Sequence, residues 1–479
     1  MRKNALLLII YEVAIYLAPL ITAPYVARVL GANGTGIYSY TYSIASYFIL
    51  FVQLGVSLYG RREIASNTSK EKASNTFWEI FSVTTIAFAV VSAAYLAFVL
   101  CLGQQFRTEL MIQYILLVGA WLDISWLFFG LEKFKIAITR NMIVKVLSLL
   151  LVFVFIKTPE DTNKYILLMA LSSLASTLVM WITLPKHINR PTAHERKTRD
   201  HLKGMVVLFL PILAIQLYSI TDKICLGLMT NMSEVGIYEN VYKISRVPVA
   251  AITAIGTVML PRITNMIANG KKKLSKKYID KSLSATLLIG SACAFGLASV
   301  SHPFVDIYLG DEYASGAPVL QLLSLVLIII AWGNVFRMQY ILPNKMDKLY
   351  LKSVILGVIT NILLNLLLIP RYNSFGAALA SLASELAICI YQTVAIRKKF
   401  NMIQLMAANS KYVIGGAIMA AIVYAIGLAL NGMNEFALLI MQIAIGALSY
   451  FIIIILFERM GETRILTEEL VKLKRRIIK

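Results

Sequence analysis

What this 479-residue chain lacks narrows its chemistry first. It has four cysteines, Cys101, Cys225, Cys293 and Cys389, all inside apolar segments. They form no spaced framework and report no redox compartment. Histidine is equally scarce. His187, His194 and His201 recur every seven residues in a basic stretch, but no cysteine or acidic cluster completes a ligand set. A solvated linker accounts for them, and no metal site is expected. There is no glycine-rich loop ending in lysine, so direct ATP coupling is not expected, and neither is any cofactor. No loop is long enough for an extramembrane catalytic domain. A membrane glycosyltransferase or polymerase would need one, so the chain reads as a non-enzyme. Acidic residues are also few, 25 against 46 Lys and Arg, for a net charge of +21. Such an excess can mark a nucleic-acid partner, but its distribution points elsewhere.

What is present is apolar. Hydrophobic residues make up 58% and the mean hydropathy is +0.73, far above a soluble domain. Fourteen apolar segments run roughly 5–26, 37–60, 77–103, 110–131, 136–157, 164–185, 205–230, 235–260, 283–309, 317–342, 350–370, 375–396, 411–430 and 436–457. Each has about 20 residues or more, enough to cross a ~30 Å hydrocarbon core. Alternate connections carry the positive charge: Arg61 and Arg62, the run Lys186 to Lys203, the cluster Lys271 to Lys281, Arg397 to Lys399, and the tail Lys472 to Lys479. The other connections offer only Arg28, Arg107, Lys157, Lys164 and Arg371. This asymmetry orients a multi-spanning protein with both termini in the cytoplasm. The basic face suits anionic phospholipids rather than nucleic acid. The start, Met1 to Val13, has signal-peptide features, but Glu12 interrupts its apolar run and no small-residue cleavage site follows. It reads as an uncleaved first span.

The chain also repeats itself. Gly36-Ile37-Tyr38 with Tyr42 and Ile44 recurs as Gly236-Ile237-Tyr238 with Tyr242 and Ile244. Ala170 to Ser176 recurs as Ala378 to Ser384, and Ala120-Trp121 answers Ala331-Trp332. Similar offsets in the same order indicate a six-span duplication. The expected fold is an all-α integral membrane protein of about fourteen transmembrane helices. It has two parallel six-helix repeats and two extra C-terminal helices. The divisions are 1–185, a basic cytoplasmic linker at 186–204, 205–396, and 397–479 with the basic tail. A two-lobed bundle of this kind is expected to hold a substrate cleft at mid-membrane depth.

Ionisable side chains inside spans cost at least ~2.5–3.5 kcal/mol and usually face a cavity. Glu239, Lys243 and Arg246 are spaced four and three apart, so they share a helix face. With Arg28, Lys223 and Arg337 they form a candidate set for an anionic ligand, Arg gripping phosphate oxygens bidentately and Lys supplying a point charge. The plainer reading is that Glu239 and Lys243 pair, and that Asp222 pairs with a cation, only to tolerate burial. Asp123, Glu385 and Glu12 are candidate proton or sodium sites, with Asp123 first and Glu385 second. Each could instead be a counter-ion to the bases.

Val26-Ala27-Arg28-Val29-Leu30-Gly31 followed by Gly36-Ile37-Tyr38, within a 6 + 6 + 2 arrangement, resembles the polysaccharide transporters of the multidrug/oligosaccharidyl-lipid/polysaccharide exporter superfamily. The likeness is closest to Wzx-type flippases and covers essentially the whole chain. It implies MATE-like lobes and an undecaprenyl-diphosphate-linked oligosaccharide as substrate. It implies movement from inner to outer leaflet of a bacterial plasma membrane, ahead of a polymerase and chain-length machinery. In the related lipid II flippases an arginine in the same Ala-Arg-x-x-Gly position lies in the central cavity, which singles out Arg28. The other bases have no motif match. A multidrug or organic-cation antiporter of the same superfamily, or a lipid II flippase, are the alternatives. A cation exporter should line its cavity chiefly with acids, and this chain has at least as many bases.

Overall fold

The computed structural model describes residues 2–67, 69–189, 198–430 and 432–460. Within these, side chains are described from Leu20 onward, apart from 134–138, 211, 214–215, 217–219 and 460. Among the described residues every regular element is helical and no strand occurs. This follows from the solvent: in hydrocarbon a backbone amide must be satisfied within its own segment or in a closed barrel.

In chain order the α-helices are α1 (Arg2–Gln53), α2 (Val56–Ser66), α3 (Lys70–Cys101), α4 (Arg107–Trp121), α5 (Ser125–Gly130), α6 (Phe134–Phe155) and α7 (Thr162–Thr183). They continue as α8 (Thr198–Met229), α9 (Met232–Ala268), α10 (Lys272–Leu309), α11 (Gly316–Phe336), α12 (Asp347–Ile396), α13 (Met402–Ala429) and α14 (Glu435–Met460). Ten helical stretches among the described residues are long and apolar enough to cross a membrane. Two of them, Leu20–Ser66 and Asp347–Ile396, have 47 and 50 residues. At 1.5 Å per residue each exceeds about 70 Å, more than twice the ~30 Å core. Each contains a kink with non-helical backbone: Gly31 in α1 (φ 69°, ψ 177°) and Asn373 in α12 (φ 49°, ψ −131°).

Local chemistry sets the helix ends. Ser69 accepts from the Lys72 amide to cap α3, and Asn401 accepts from the Gln404 amide to cap α13; each satisfies a donor that the first turn leaves free. Thr158 and Asp161 form a reciprocal capping box before α7. Two expected spans are not continuous helices. The second apolar segment stops at Gln53, where Leu54 and Gly55 adopt positive φ (43° and 74°), and α2 begins. Gly55 is required there, because a Cβ would lie 3.0 Å from the Phe209 amide nitrogen of α8. The fourth segment breaks at Leu122–Ile124, between α4 and α5.

The chain packs as two compact units, residues 1–236 and 237–479. In the first, α8 packs on α1, α2 and α3, and the Tyr47 hydroxyl meets Thr221 Oγ1 at 2.9 Å. Its core gathers Phe77, Ile80, Trp126, Leu127 and Met205. In the second, α10 is central, packed on α11, α13 and α14, with Leu283, Leu287, Phe336 and Tyr412 in its core. Large apolar side chains on both units remain exposed, among them Ile182, Leu228, Val258, Leu363 and Ile403. A lipid-facing surface explains that pattern; a water-facing one does not.

The repeated Gly-Ile-Tyr element is structurally repeated too. Tyr38 stacks on Tyr42 with centroids 5.7 Å apart, and Tyr238 on Tyr242 at 5.8 Å. The two copies also touch. A Cβ on Gly36 would sit 1.7 Å from the Met232 carbonyl oxygen, and one on Gly236 would sit 2.0 Å from that of Ala32. Residues 32 and 36 thus face 236 and 232, all within the first unit.

Candidate functional site

Arg28 lies on α1 three residues before the Gly31 break. Val26, Ala27 and Leu30 around it are buried, while Arg28 itself is exposed. The helix therefore spends its apolar face on packing and leaves Arg28 on an exposed face. Lys223 is half-buried on α8, beside the fully buried Asp222. Tyr47 lies within electrostatic reach of both. The plainer reading of Asp222, a carboxylate placed beside a base, fits this position.

In the second unit Glu239, Lys243 and Arg246 all lie on α9. Lys243 Nζ lies 3.3 Å from Glu239 Oε1, with Lys243 about one-third exposed and Glu239 nearly buried. Arg246 stacks over the Tyr242 ring, 4.4 Å from its centroid. The ring anchors the guanidinium without neutralising it. The Glu239–Lys243 ion pair and the Arg246–Tyr242 contact therefore lie on one helix.

Arg337 opens a single π-helical turn, Arg337–Ile341, at the end of α11. Such turns break helix regularity and often mark functional positions. Arg337 and Glu385 both act electrostatically on Cys389, so an acid and a base from α11 and α12 share one neighbourhood. Trp332 on α11 donates from Nε1 to Thr393 Oγ1 on α12 at 3.0 Å, which locks the two helices there.

Asp123 sits in the break between α4 and α5 rather than inside a continuous helix. Its Oδ1 accepts from the Ser125 amide at 2.9 Å, and its charge acts on Arg61 of α2. Arg61 in turn lies over the Phe129 ring at 4.1 Å. The carboxylate thus caps α5 and faces a base. Glu12 belongs to α1, but its side chain lies outside the described residues.

Several buried ionisable groups had no place in the sequence expectation. Glu79, Tyr59 and His201 are each over nine-tenths buried and hydrogen-bonded to one another. His201 is therefore not the solvated linker residue that its basic surroundings imply. Its neighbour in spacing, His187, does sit by bases: Lys133 Nζ lies 2.9 Å from its Nδ1. Burial first, then Lys133, Lys70 and Lys186, hold that imidazole below its ordinary range. His194 lies outside the described residues. In the second unit Glu458 is fully buried and accepts from the Tyr412 hydroxyl at 3.3 Å. Glu458 stands one residue past the last apolar segment, beside Arg459, where a charge does not stand out. Nothing local marks Tyr59.

Residues 1–267 match the profile of a family described as polysaccharide biosynthesis protein. A putative O-antigen transporter of Escherichia coli (strain K12) is 26% identical over 83% of this chain and 97% of its own length. Among solved structures, the lipid II flippase MurJ in an inward closed conformation aligns with TM-score 0.75 at 16% identity, covering 96% of this chain and 99% of that one. An inward-facing multidrug resistance MATE family transporter aligns with TM-score 0.63 at 13% identity, covering 81% and 95%. At these identities the two structures establish a shared fold.

Proposed function

The chain belongs to the polysaccharide biosynthesis protein family, and from that premise we propose that it is a flippase for lipid-linked oligosaccharides. The cargo is an undecaprenyl-diphosphate-linked repeat unit, moved from the inner to the outer leaflet of a bacterial plasma membrane. Both termini are cytoplasmic. The product feeds O-antigen, capsule or exopolysaccharide assembly, handed on to a polymerase and its chain-length machinery.

The observation that carries this reading is the exposure of Arg28 amid buried neighbours in the first-span element. A guanidinium among apolar helices is costly unless polar or anionic groups meet it. A diphosphate is the part of the cargo that needs such a partner, and Arg suits it better than Lys because its fork bonds two oxygens at once. Lys223 in the first unit, and Lys243, Arg246 and Arg337 in the second, are the further substrate-binding candidates. The E. coli relative is described as an O-antigen transporter, which agrees with a lipid-linked glycan. The two alternatives are lipid II as cargo, and a multidrug or organic-cation antiporter. The second is disfavoured by bases where a cation exporter needs acids.

Movement proceeds by alternating access, driven by a proton or sodium gradient through an intramembrane carboxylate: Asp123 first, then Glu385 and Glu12. The test uses cells in which this protein is the sole flippase for a surface glycan. Arg28→Ala, Lys243→Ala and Arg246→Ala are each expected to abolish surface polysaccharide while the protein persists in the membrane. Arg28→Lys is expected to restore only part. Wild-type surface glycan in all three Ala variants rules out the binding role.

A further inference from the structure

Three helices of the first unit meet at a buried hydrogen-bonded chain. Tyr59 on α2, His201 on α8 and Glu79 on α3 are 6%, 9% and 7% exposed. The Tyr59 hydroxyl lies 2.8 Å from His201 Nδ1, and His201 Nε2 lies 2.8 Å from Glu79 Oε2. Both imidazole nitrogens are engaged. The surroundings are apolar: Phe77, Ile80, Trp126 and Met205 belong to the same cluster as Tyr59. Gly204, one turn along α8, lies so close that a Cβ there would sit 2.3 Å from the Tyr59 ring. The charged groups that act on Tyr59 are Glu63 and Arg62 on α2, Asp200 on α8 and Glu79 on α3. Arg62 lies over the Tyr59 ring at 5.4 Å. From α5 the neighbour is Trp126, which carries no charge.

A buried carboxylate with a histidine partner is an expensive arrangement for packing alone. Isosteric apolar residues would hold three helices together without desolvating an ionisable pair. Histidine is also the side chain whose ordinary titration range straddles neutral pH. We infer that the Glu79–His201 pair is a proton-binding site that loads and unloads during the transport cycle, with Tyr59 as the residue that positions the imidazole. This rests on the reading that the protein is a gradient-coupled transporter, and it is distinct from the intramembrane carboxylates named above.

The proton balance is simple. In the unloaded form Nδ1 accepts from the Tyr59 hydroxyl, Nε2–H donates to the Glu79 carboxylate, and the pair carries one negative charge. A proton arriving on Nδ1 forms an imidazolium. The Tyr59 hydroxyl then rotates to accept, Nε2–H still donates to Glu79, and the pair is neutral overall. One N–H bond forms and both hydrogen bonds survive. A net charge is costly in a dry core, whereas an ion pair with satisfied hydrogen bonds is tolerated. The loaded form therefore favours α8 docked on α2 and α3, and the unloaded form favours water entry and separation. By linkage, whatever moves α8 must change the affinity for the proton, and the proton must bias α8 in return.

The test begins with purified full-length protein and needs no lipid-linked substrate. Net proton uptake on acidifying from pH 8 to pH 5.5 is measured with an indicator dye in weak buffer. His201→Gln and Glu79→Gln should each take up about one proton fewer than wild type, since one ionisable pair is broken in both. Uptake equal to wild type in both variants overturns the site. Should either variant fail to elute as a monodisperse peak, nitrogen-15 histidine spectra of the unmutated protein decide. The His201 ring must pass from one protonated nitrogen to two across that range, and an unchanging ring overturns the site. In phosphatidylethanolamine–phosphatidylglycerol vesicles carrying undecaprenyl-diphosphate-linked oligosaccharide, an imposed pH gradient should then accelerate flipping by wild type and leave His201→Gln unresponsive. Absence of flipping by wild type counts against the transport reading, while the uptake result stands separately.

Discussion

At the scale of single residues, Asp123 holds a structural place and is also the first candidate proposed for coupling. Its Oδ1 caps α5 through the Ser125 amide, and its charge faces Arg61. An asparagine at this position keeps a capping oxygen and loses the titratable charge; an alanine loses both. Asp123→Asn is therefore expected to match wild type in thermal stability and in binding of the lipid diphosphate, yet lose gradient-driven flipping in vesicles. Asp123→Ala should in addition lose about 1 kcal/mol, the usual worth of a cap. If the Asn variant flips as fast as wild type under an imposed gradient, the coupling role passes to Glu385. Residues such as Asp123, Lys243 and Arg337 were legible in the sequence because a charge inside an apolar run stands out by itself. His201 was not. Its partners Tyr59 and Glu79 lie 142 and 122 positions away, and no local pattern encodes a contact at that range. Its basic neighbourhood actively suggested a solvated loop. The helix break at Asp123 was hidden for a different reason: Leu122 and Ile124 on either side are as apolar as a continuous span requires.

At the scale of elements, the approach of Gly36 and Gly236 to backbone carbonyls is tightly specified. The sequence revealed the Gly-Ile-Tyr element as a duplication, and periodicity alone could not say that the two copies meet. The closeness of Gly36 to the Met232 carbonyl and of Gly236 to the Ala32 carbonyl leaves no room for any side chain on either helix. Backbone atoms cannot swing aside as a flexible side chain does. Gly36→Ala and Gly236→Ala should each force the helices apart, at a cost of roughly 1–3 kcal/mol or more by overpacking. Because both substitutions open the same crossing, the double variant should cost less than their sum. Thermal melting followed by size-exclusion fluorescence checks this. Wild-type melting of both single variants contradicts the crossing.

At the scale of the whole chain, the alternation of basic and non-basic connections predicts the orientation of every segment, because the charge rule acts on loops and is independent of packing. It makes a checkable map. In a background without native cysteines, Asn33→Cys, Glu160→Cys, Asn231→Cys and Glu312→Cys should react with an impermeant thiol reagent from outside the cell. Lys272→Cys should react only after the cytoplasmic face is opened. Consistent reversal at Asn231 and beyond would mean an odd number of spans in the first half. The central claim, that the basic side chains among these helices carry a lipid diphosphate across the bilayer, is tested most directly by reconstitution. Purified protein is placed in vesicles with undecaprenyl-diphosphate-linked oligosaccharide, and the glycan reaching the opposite leaflet is counted by an impermeant glycosidase. Wild type is expected to expose the glycan many times faster than empty vesicles and Arg28→Ala no faster than empty vesicles. Equal rates for wild type and empty vesicles, or for wild type and Arg28→Ala, contradict it.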